Sequence, residues 1–255
     1  MCRIHLFEFE DQLWFPETLR KGITDYLQYA ANKIDLYTPI IPILEKRLEK
    51  ENTIIDIGSG SGGGMVKIHQ KLKSKHNNIK IILTDKYPHL EAYKSLYDKT
   101  NGDISYVDYP VDALDIPSEL KGLRTQFVSF HHFKPKDAKK ILENAVRDKS
   151  SIGIFEVTER SLVNFIGMLF TPLVVMIAVP FIRPFSLSRL LFTYLLPIIP
   201  ISIMWDGLVS VLRTYSVNEL KQMTESIKTE NYNWEIGKIK TKGRPNIIYV
   251  LGYPN

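Results

Sequence analysis

Asp56 ends the run Ile54-Ile55-Asp56, and glycines follow at 58, 60 and 62. Apolar residues leading into an acid and then into glycines read as a short buried strand, a tight turn and a helix from about Met65. Glycines let the backbone turn sharply and approach a ligand closely. The N–H groups of a helix start favour anionic ligand groups, so a nucleotide-type cofactor is the natural occupant. Gly58, Gly60 and Gly63 also satisfy the dinucleotide spacing G-x-G-x-x-G. Glycine spacing therefore leaves two occupants open. Asp56 weighs between them, because a carboxylate two residues before the first glycine would repel a pyrophosphate. It would suit a ligand carrying an amino group and a sulfonium.

Other groups have the types that chemistry needs. His131 and His132 follow a strand expected at 126–130, at the edge where open α/β sheets bind ligands. One imidazole there could act as a base near neutral pH; strand capping is the alternative. The adjacent pair lacks the i,i+4 spacing of a helix-borne zinc site, no H-E-x-x-H is present, and no metal is expected. The start Phe7-Glu8-Phe9-Glu10-Asp11-Gln12-Leu13-Trp14-Phe15-Pro16 mixes acids with aromatics. Glu8, Asp11 and Trp14 are candidates for contact with a cationic substrate, packing for stability alone being the alternative. Glu156 ends a strand and could face the same crevice. Asp206, in Trp205-Asp206-Gly207, is first a turn or N-cap signal and second a candidate at the mouth of an apolar channel.

The elements that must position these groups alternate. Helical periodicity covers 17–37 with Leu19, Ile23, Tyr26, Leu27, Ala30, Ala31 and Ile34 inward, and 43–50 with Glu49 and Lys50 outward. Strands are expected at 53–57, 79–84, 104–107, 126–130 and 151–157, and helices at 65–76, 89–98 and 136–148. That alternation implies βαβ units and a parallel sheet. A helix over 217–227 with Ser216 as N-cap follows, then strands at 234–240 and 246–252 around Gly243-Arg244-Pro245.

The chain's 255 residues suffice for one large α/β domain. A single cysteine, Cys2, excludes an internal disulfide framework and a cysteine-rich zinc site. His5, Glu8, Glu10 and Asp11 interrupt any early apolar run, so no signal peptide and a cytoplasmic location are expected. The net charge of +5 is modest, and no aromatic-basic interleaving supports nucleic acid as a partner.

Residues 161–205 stand apart, with only Arg183 and Arg189 charged. An uncharged run of 22 residues, 161–182, is followed by one of 16, 190–205. A span needs about 20 apolar residues. Prolines at 172, 180, 197 and 200 argue against straight spans. Spanning would also part the last helix and strands from their sheet. A hairpin dipping into one leaflet, peripheral on the inner face of the cytoplasmic membrane, fits, and so does an apolar cap.

Together the motifs resemble class I S-adenosylmethionine-dependent methyltransferases. Asp56–Gly63 resembles that family's first motif, and Asp85 in Thr84-Asp85-Lys86-Tyr87-Pro88 the acid that closes its second strand. Asp112, in Val111-Asp112-Ala113-Leu114-Asp115-Ile116-Pro117, resembles the residue after its third strand. Phe130-His131-His132-Phe133 and the helix after it resemble the fourth strand and helix of many small-molecule members. The likeness covers 52–160 well, while 161–205 has no ordinary counterpart. It implies a Rossmann-like fold with a seven-stranded, mostly parallel sheet, helices on both faces, an N-terminal helical lid and an apolar insertion. The divisions would be a lid at 1–50, a cofactor core at 51–160, the insertion at 161–205 and a completing part at 206–255. It implies S-adenosyl-L-methionine as cofactor. Gly58, Ser59 and Gly60 would pass under the methionine part, Asp56 would hold its amino group, Asp85 would accept the ribose hydroxyls, Asp112 and Ala113 would lie at the adenine, and Lys86 would be a further cofactor contact. Asp85 falls 27 residues after Gly58, beyond the roughly 20 of a dinucleotide fold. The expected reaction is methylation of oxygen or nitrogen on a hydrophobic or lipid-like small molecule. A compact aromatic acceptor with the insertion as a homodimer interface, an NAD(P)-binding oxidoreductase and a non-enzymatic scaffold are the alternatives.

Overall fold

The structure is a computed structural model that describes residues 2–48 and 52–255. Glu49 and Lys50, expected on the outer face of the second helix, lie outside the described residues, as does the expected boundary between 50 and 51. The chain divides into two units. One, helical, holds the chain up to Ile34 together with Thr158–Tyr215; the other, α/β, holds Asp35–Val157 and Ser216–Asn255. The two helices expected to form a lid fall in different units: α1 (Glu17–Lys33) in the helical one and α2 (Ile41–Leu48) in the α/β one.

The α/β unit is built on seven strands: β1 Thr53–Ile57, β2 Lys80–Thr84, β3 Ile104–Tyr106, β4 Leu123–Phe127, β5 Ile152–Glu156, β6 Tyr232–Ile239 and β7 Ile247–Pro254. Their order is β3-β2-β1-β4-β5-β7-β6. β1 to β5 pair in parallel, and β7 enters antiparallel between β5 and β6. Strand order reverses between β1 and β4, so the loops after those strands flank the switch point where such sheets bind ligands. Buried residues of α2, α3 (Met65–Lys73) and α4 (Leu90–Lys99) pack on Ile54, Ile81, Leu83 and Leu123 of one sheet face. α5 (Pro135–Arg147) packs on β7, and α10 (Val217–Glu225) on β6 and α5. Their buried residues lie outside that cluster, on the face that Ile55 and Ile57 reach by alternation. Ser216 starts α10 as expected, with a reciprocal capping box to Glu219.

The fourth strand departs from expectation. It runs 123–127 rather than 126–130. Val128 leaves the ladder at φ +52°, and Phe130–His132 form a 3₁₀ turn. A β-branched residue at positive φ is strained. Here it bends the chain so that the histidines lie in a turn beyond the strand.

The helical unit adds α6 (Leu162–Leu169), α7 (Thr171–Ala178), α8 (Leu187–Leu190), a π-helical turn over Leu191–Leu195 and α9 (Ile198–Arg213). Phe15, Leu19, Ile23 and Tyr26 pack against Val175, Val179, Ile199 and Ile203. Leu27 and Ile34, expected inward, are exposed. No single described helix is long and apolar enough to cross a membrane. Two pairs are apolar enough only when joined across bends of 49° and 78°.

Asp206 is not a turn residue. It lies inside α9, which continues through the expected boundary at 205 to Arg213. Gly207 serves close packing instead, since a Cβ there would stand 2.8 Å from the sulfur of Met168 on α6. The Asp206 carboxylate accepts the Phe9 N–H at 2.7 Å and the Glu10 N–H at 3.3 Å, and so fastens the N-terminal segment to α9. Arg213 completes this clasp. It donates to the Leu6 carbonyl at 2.7 Å and pairs with Glu8 at 3.1 Å and Asp11 at 2.8 Å.

Burial pushes the Asp206 carboxyl up to about 7, aided by the charges of Glu8 and Asp11 and opposed by the two N–H bonds. An unfolded Asp sits near roughly 4. Between those values the unfolded chain loses its proton first. This group's contribution to stability is therefore greatest below about 4 and falls as pH rises to about 7. Asp206→Asn is expected to flatten the pH dependence of thermal stability over that window, read by circular dichroism. A slope identical to that of the parent protein would place the titration elsewhere.

Candidate active site

β1 delivers Asp56 to the carboxyl edge of the sheet, almost fully buried. Its Oδ1 accepts the Thr125 hydroxyl of β4 at 3.0 Å. Burial pushes its carboxyl up to about 7, against the hydrogen bonds from Ser59 and Thr125 and with a further upward push from Asp85. Ser59 stitches the glycine turn to β2: its N–H donates to the Thr84 carbonyl at 3.0 Å, and its hydroxyl to the Asp56 carbonyl at 3.0 Å. Gly60 sits at φ +56°, and a Cβ there would meet nothing within 4 Å. The turn thus exposes backbone to open space, as a ligand cradle requires.

Asp85, after β2, holds the other side of that turn. Its Oδ2 accepts the Gly60 N–H at 2.8 Å and its Oδ1 the Tyr87 N–H at 2.8 Å. Burial raises its carboxyl above the usual range, with the N–H bonds working the other way. Asp112 accepts the Leu114 N–H at 2.9 Å on one oxygen and Lys86 Nζ at 3.0 Å on the other. Burial pushes its carboxyl up, but the Leu114 and Lys86 bonds prevail and hold it below the ordinary value. Lys86 therefore ties the end of β2 to the turn that carries Asp112 and the buried Ala113.

β4 and β5 bring the histidine turn to the same edge. His131 and Glu156 are both buried, and a double contact joins them: the His131 N–H donates to Glu156 Oε1 at 3.0 Å, and Nδ1 lies 2.8 Å from Oε2. A carboxylate at Nδ1 assigns the proton to that nitrogen and leaves the acceptor lone pair on Nε2. The His132 ring packs against that of His131, tilted by 33° with centroids 4.4 Å apart. Glu156, expected as a substrate contact, is thus the partner of His131. Glu8, Asp11, Trp14 and Asp206 all lie in the helical unit. Glu8 and Asp11 pair there with Arg213, Asp206 holds the N-terminal segment, and Trp14 is 67% exposed.

The structure adds residues that sequence reasoning missed. The Tyr37 ring covers Gly64, where a Cβ would come within 2.2 Å of it, and packs edge-on against Phe127 at 5.2 Å. Burial, then the carboxylates of Asp56 and Glu156, suppress ionisation of its phenol. Ser129 lies beside Gly58, its hydroxyl 3.3 Å from where a Cβ would stand, buried and without a hydrogen-bond partner among the described residues. An orphaned hydroxyl at the switch point suits a polar ligand. No spacing in the sequence marks either residue.

No protein-family model matches the chain, and no curated protein matches it. Solved structures do share its fold. The plantazolicin methyltransferase BpumL, in complex with SAH, aligns with TM-score 0.59 at 13% identity over 96% of this chain and 94% of that one. Human N-acetylserotonin methyltransferase, in complex with SAM, aligns with TM-score 0.52 at 12% identity over 94% of this chain and 56% of that one. The pyocyanin biosynthetic protein PhzM gives 0.52 and 13%, over 87% and 56%. The chain therefore spans little more than half the length of these last two. The chain thus shares the fold of these solved methyltransferases, with the seven-stranded, mostly parallel sheet expected from the sequence.

Proposed function

We propose that this protein is an S-adenosylmethionine-dependent methyltransferase that acts on oxygen or nitrogen of a hydrophobic, lipid-like small molecule. The observation that carries it is one juxtaposition. Across the β1–β4 switch, Ser129 links an open glycine turn to a turn holding a buried His131–Glu156 pair. The residues fit the cofactor. Asp56 offers a buried carboxylate for the amino group, Gly60 an open backbone with Gly58 beside the Ser129 hydroxyl, and Asp85 an acceptor for the ribose hydroxyls. Lys86, Asp112 and Ala113 would flank the adenine. The cofactor supplies an electrophilic methyl group on a sulfonium. His131 Nε2 accepts the proton of the attacking hydroxyl or amine, and Glu156 steadies the imidazolium that results. The 161–205 segment, rich in exposed apolar side chains, supports a hydrophobic acceptor.

Calorimetry tests the cofactor: S-adenosylhomocysteine should bind and NADP should not. Preference for NADP would overturn the proposal. The pH dependence tests Asp56. Holding an ammonium needs its ionised form, and its carboxyl stands at about 7. Affinity is expected to fall about tenfold for each unit below that value, and Asp56→Asn to remove the dependence. For the acceptor, labelled methyl donor is incubated with a total cell extract. Label confined to water-soluble products would exclude a lipid-like acceptor.

A further inference from the structure

Of the residues between Leu162 and Ile201 that are exposed, only Arg183 and Tyr194 carry a polar group; the rest are apolar, glycine or proline. Val163, Ile177, Leu187 and Leu195 are each more than 70% exposed. Most polar side chains of this stretch are hydrogen-bonded to groups within the unit, the buried Thr193 hydroxyl being an exception. Asn164 donates to the Glu159 carbonyl at 3.0 Å and Thr171 to the Met168 carbonyl at 2.6 Å. The Ser186 and Ser188 hydroxyls bond each other at 2.9 Å, and Tyr194 donates its hydroxyl to the Met176 carbonyl. Arg189 is buried on Asp25 and on the carbonyls of Ile182 and Pro184.

A surface facing water has no need to satisfy its polar groups internally. A protein interface keeps a polar rim. Hydrocarbon demands internal satisfaction. The charge pattern agrees. From Arg160 to Trp205 there are three arginines and no Asp, Glu or Lys, and Arg183 is the exposed one. That suits an apolar face that meets anionic headgroups through a cation. No single described helix is long and apolar enough to cross, and bends of 49° and 78° break the two apolar helix pairs, which favours a face lying in the interface.

We propose that the helical unit docks on an anionic lipid bilayer through the exposed face of 162–201, with Arg183 at the headgroups. This deepens the lipid-like acceptor proposed above and rests on it only for what the docked protein would collect. The test is flotation of the full chain with phosphatidylcholine vesicles, with and without about a third phosphatidylglycerol. Partition is expected to be several-fold higher on the anionic vesicles, and Arg183→Ala should remove that difference. The triple variant Ile177→Ser, Leu187→Ser, Leu195→Ser is expected to lose at least tenfold on both. Folded parent protein that stays at the bottom of the gradient overturns the docking. So does a dimer in light scattering that the triple variant converts to monomer, since a second copy then covers the face. S-adenosylhomocysteine binding is measured on the same samples. Flotation without cofactor binding would sink the methyltransferase proposal and leave docking; binding without flotation would do the reverse.

Discussion

His131→Ala is expected to lower kcat by about a hundred- to ten-thousand-fold, the usual range for a positioned general base. The KM for the methyl donor should change little, because His131 lies on the β4 turn and not among the residues that would hold the cofactor. Glu156→Gln separates two roles. It keeps the shape, and its single amide oxygen can accept one of the two His131 N–H groups, but it removes the charge that would steady an imidazolium. Glu156 also accepts the His131 backbone N–H at 3.0 Å, so the Gln variant keeps one of the two bonds where Ala would keep neither. A loss of about ten- to a hundredfold in kcat is expected for it. In the pH–rate profile, the limb that reports the base should vanish in the His131 variant. Stability lost with kcat unchanged would make the pair a structural strut and move the base to His132 or nowhere.

The sequence announced half of this pair and hid the other half. His131-His132 reads as chemistry because two imidazoles follow an apolar run. Glu156 stands 25 residues away, and only the β4–β5 register, Phe127 beside Phe155, brings it within reach. Register is tertiary information. The misplacement of β4 has a similar cause. Its true strand buries Arg124 and Gln126, which hides it from a search for apolar runs, while Phe127-Val128-Ser129-Phe130 imitates one. Arg124 is tolerated because Asp148 meets it at 2.9 Å. The glycine turn was legible because its geometry admits few residue types, and Asp85 because it ends a strand after a fixed unit of chain. Asp206-Gly207 misled because the same dipeptide serves a turn or a close helix contact, and only the approach of Met168 decides.

Asp85→Ala is expected to weaken binding of S-adenosylhomocysteine by about ten- to a hundredfold, as lost charge-assisted hydrogen bonds would. Two mechanisms could give that number. Asp85 could accept the ribose hydroxyls, or it could act only by holding the glycine turn through the Gly60 N–H at 2.8 Å. Adenosine distinguishes them, since it keeps the ribose and lacks the methionine part that the glycine turn would carry. An equal loss for adenosine assigns Asp85 to the ribose. A loss for S-adenosylhomocysteine alone assigns it to the turn. Lys86→Met supplies the complementary arm. Its bond to Asp112 ties β2 to the adenine-side turn, so its removal should weaken adenosine and S-adenosylhomocysteine alike by about twofold to fivefold, the modest size of an exposed ion pair. Unchanged affinity in both variants would remove this end of the crevice from the cofactor site and, with it, the basis for reading the fold as an active methyltransferase.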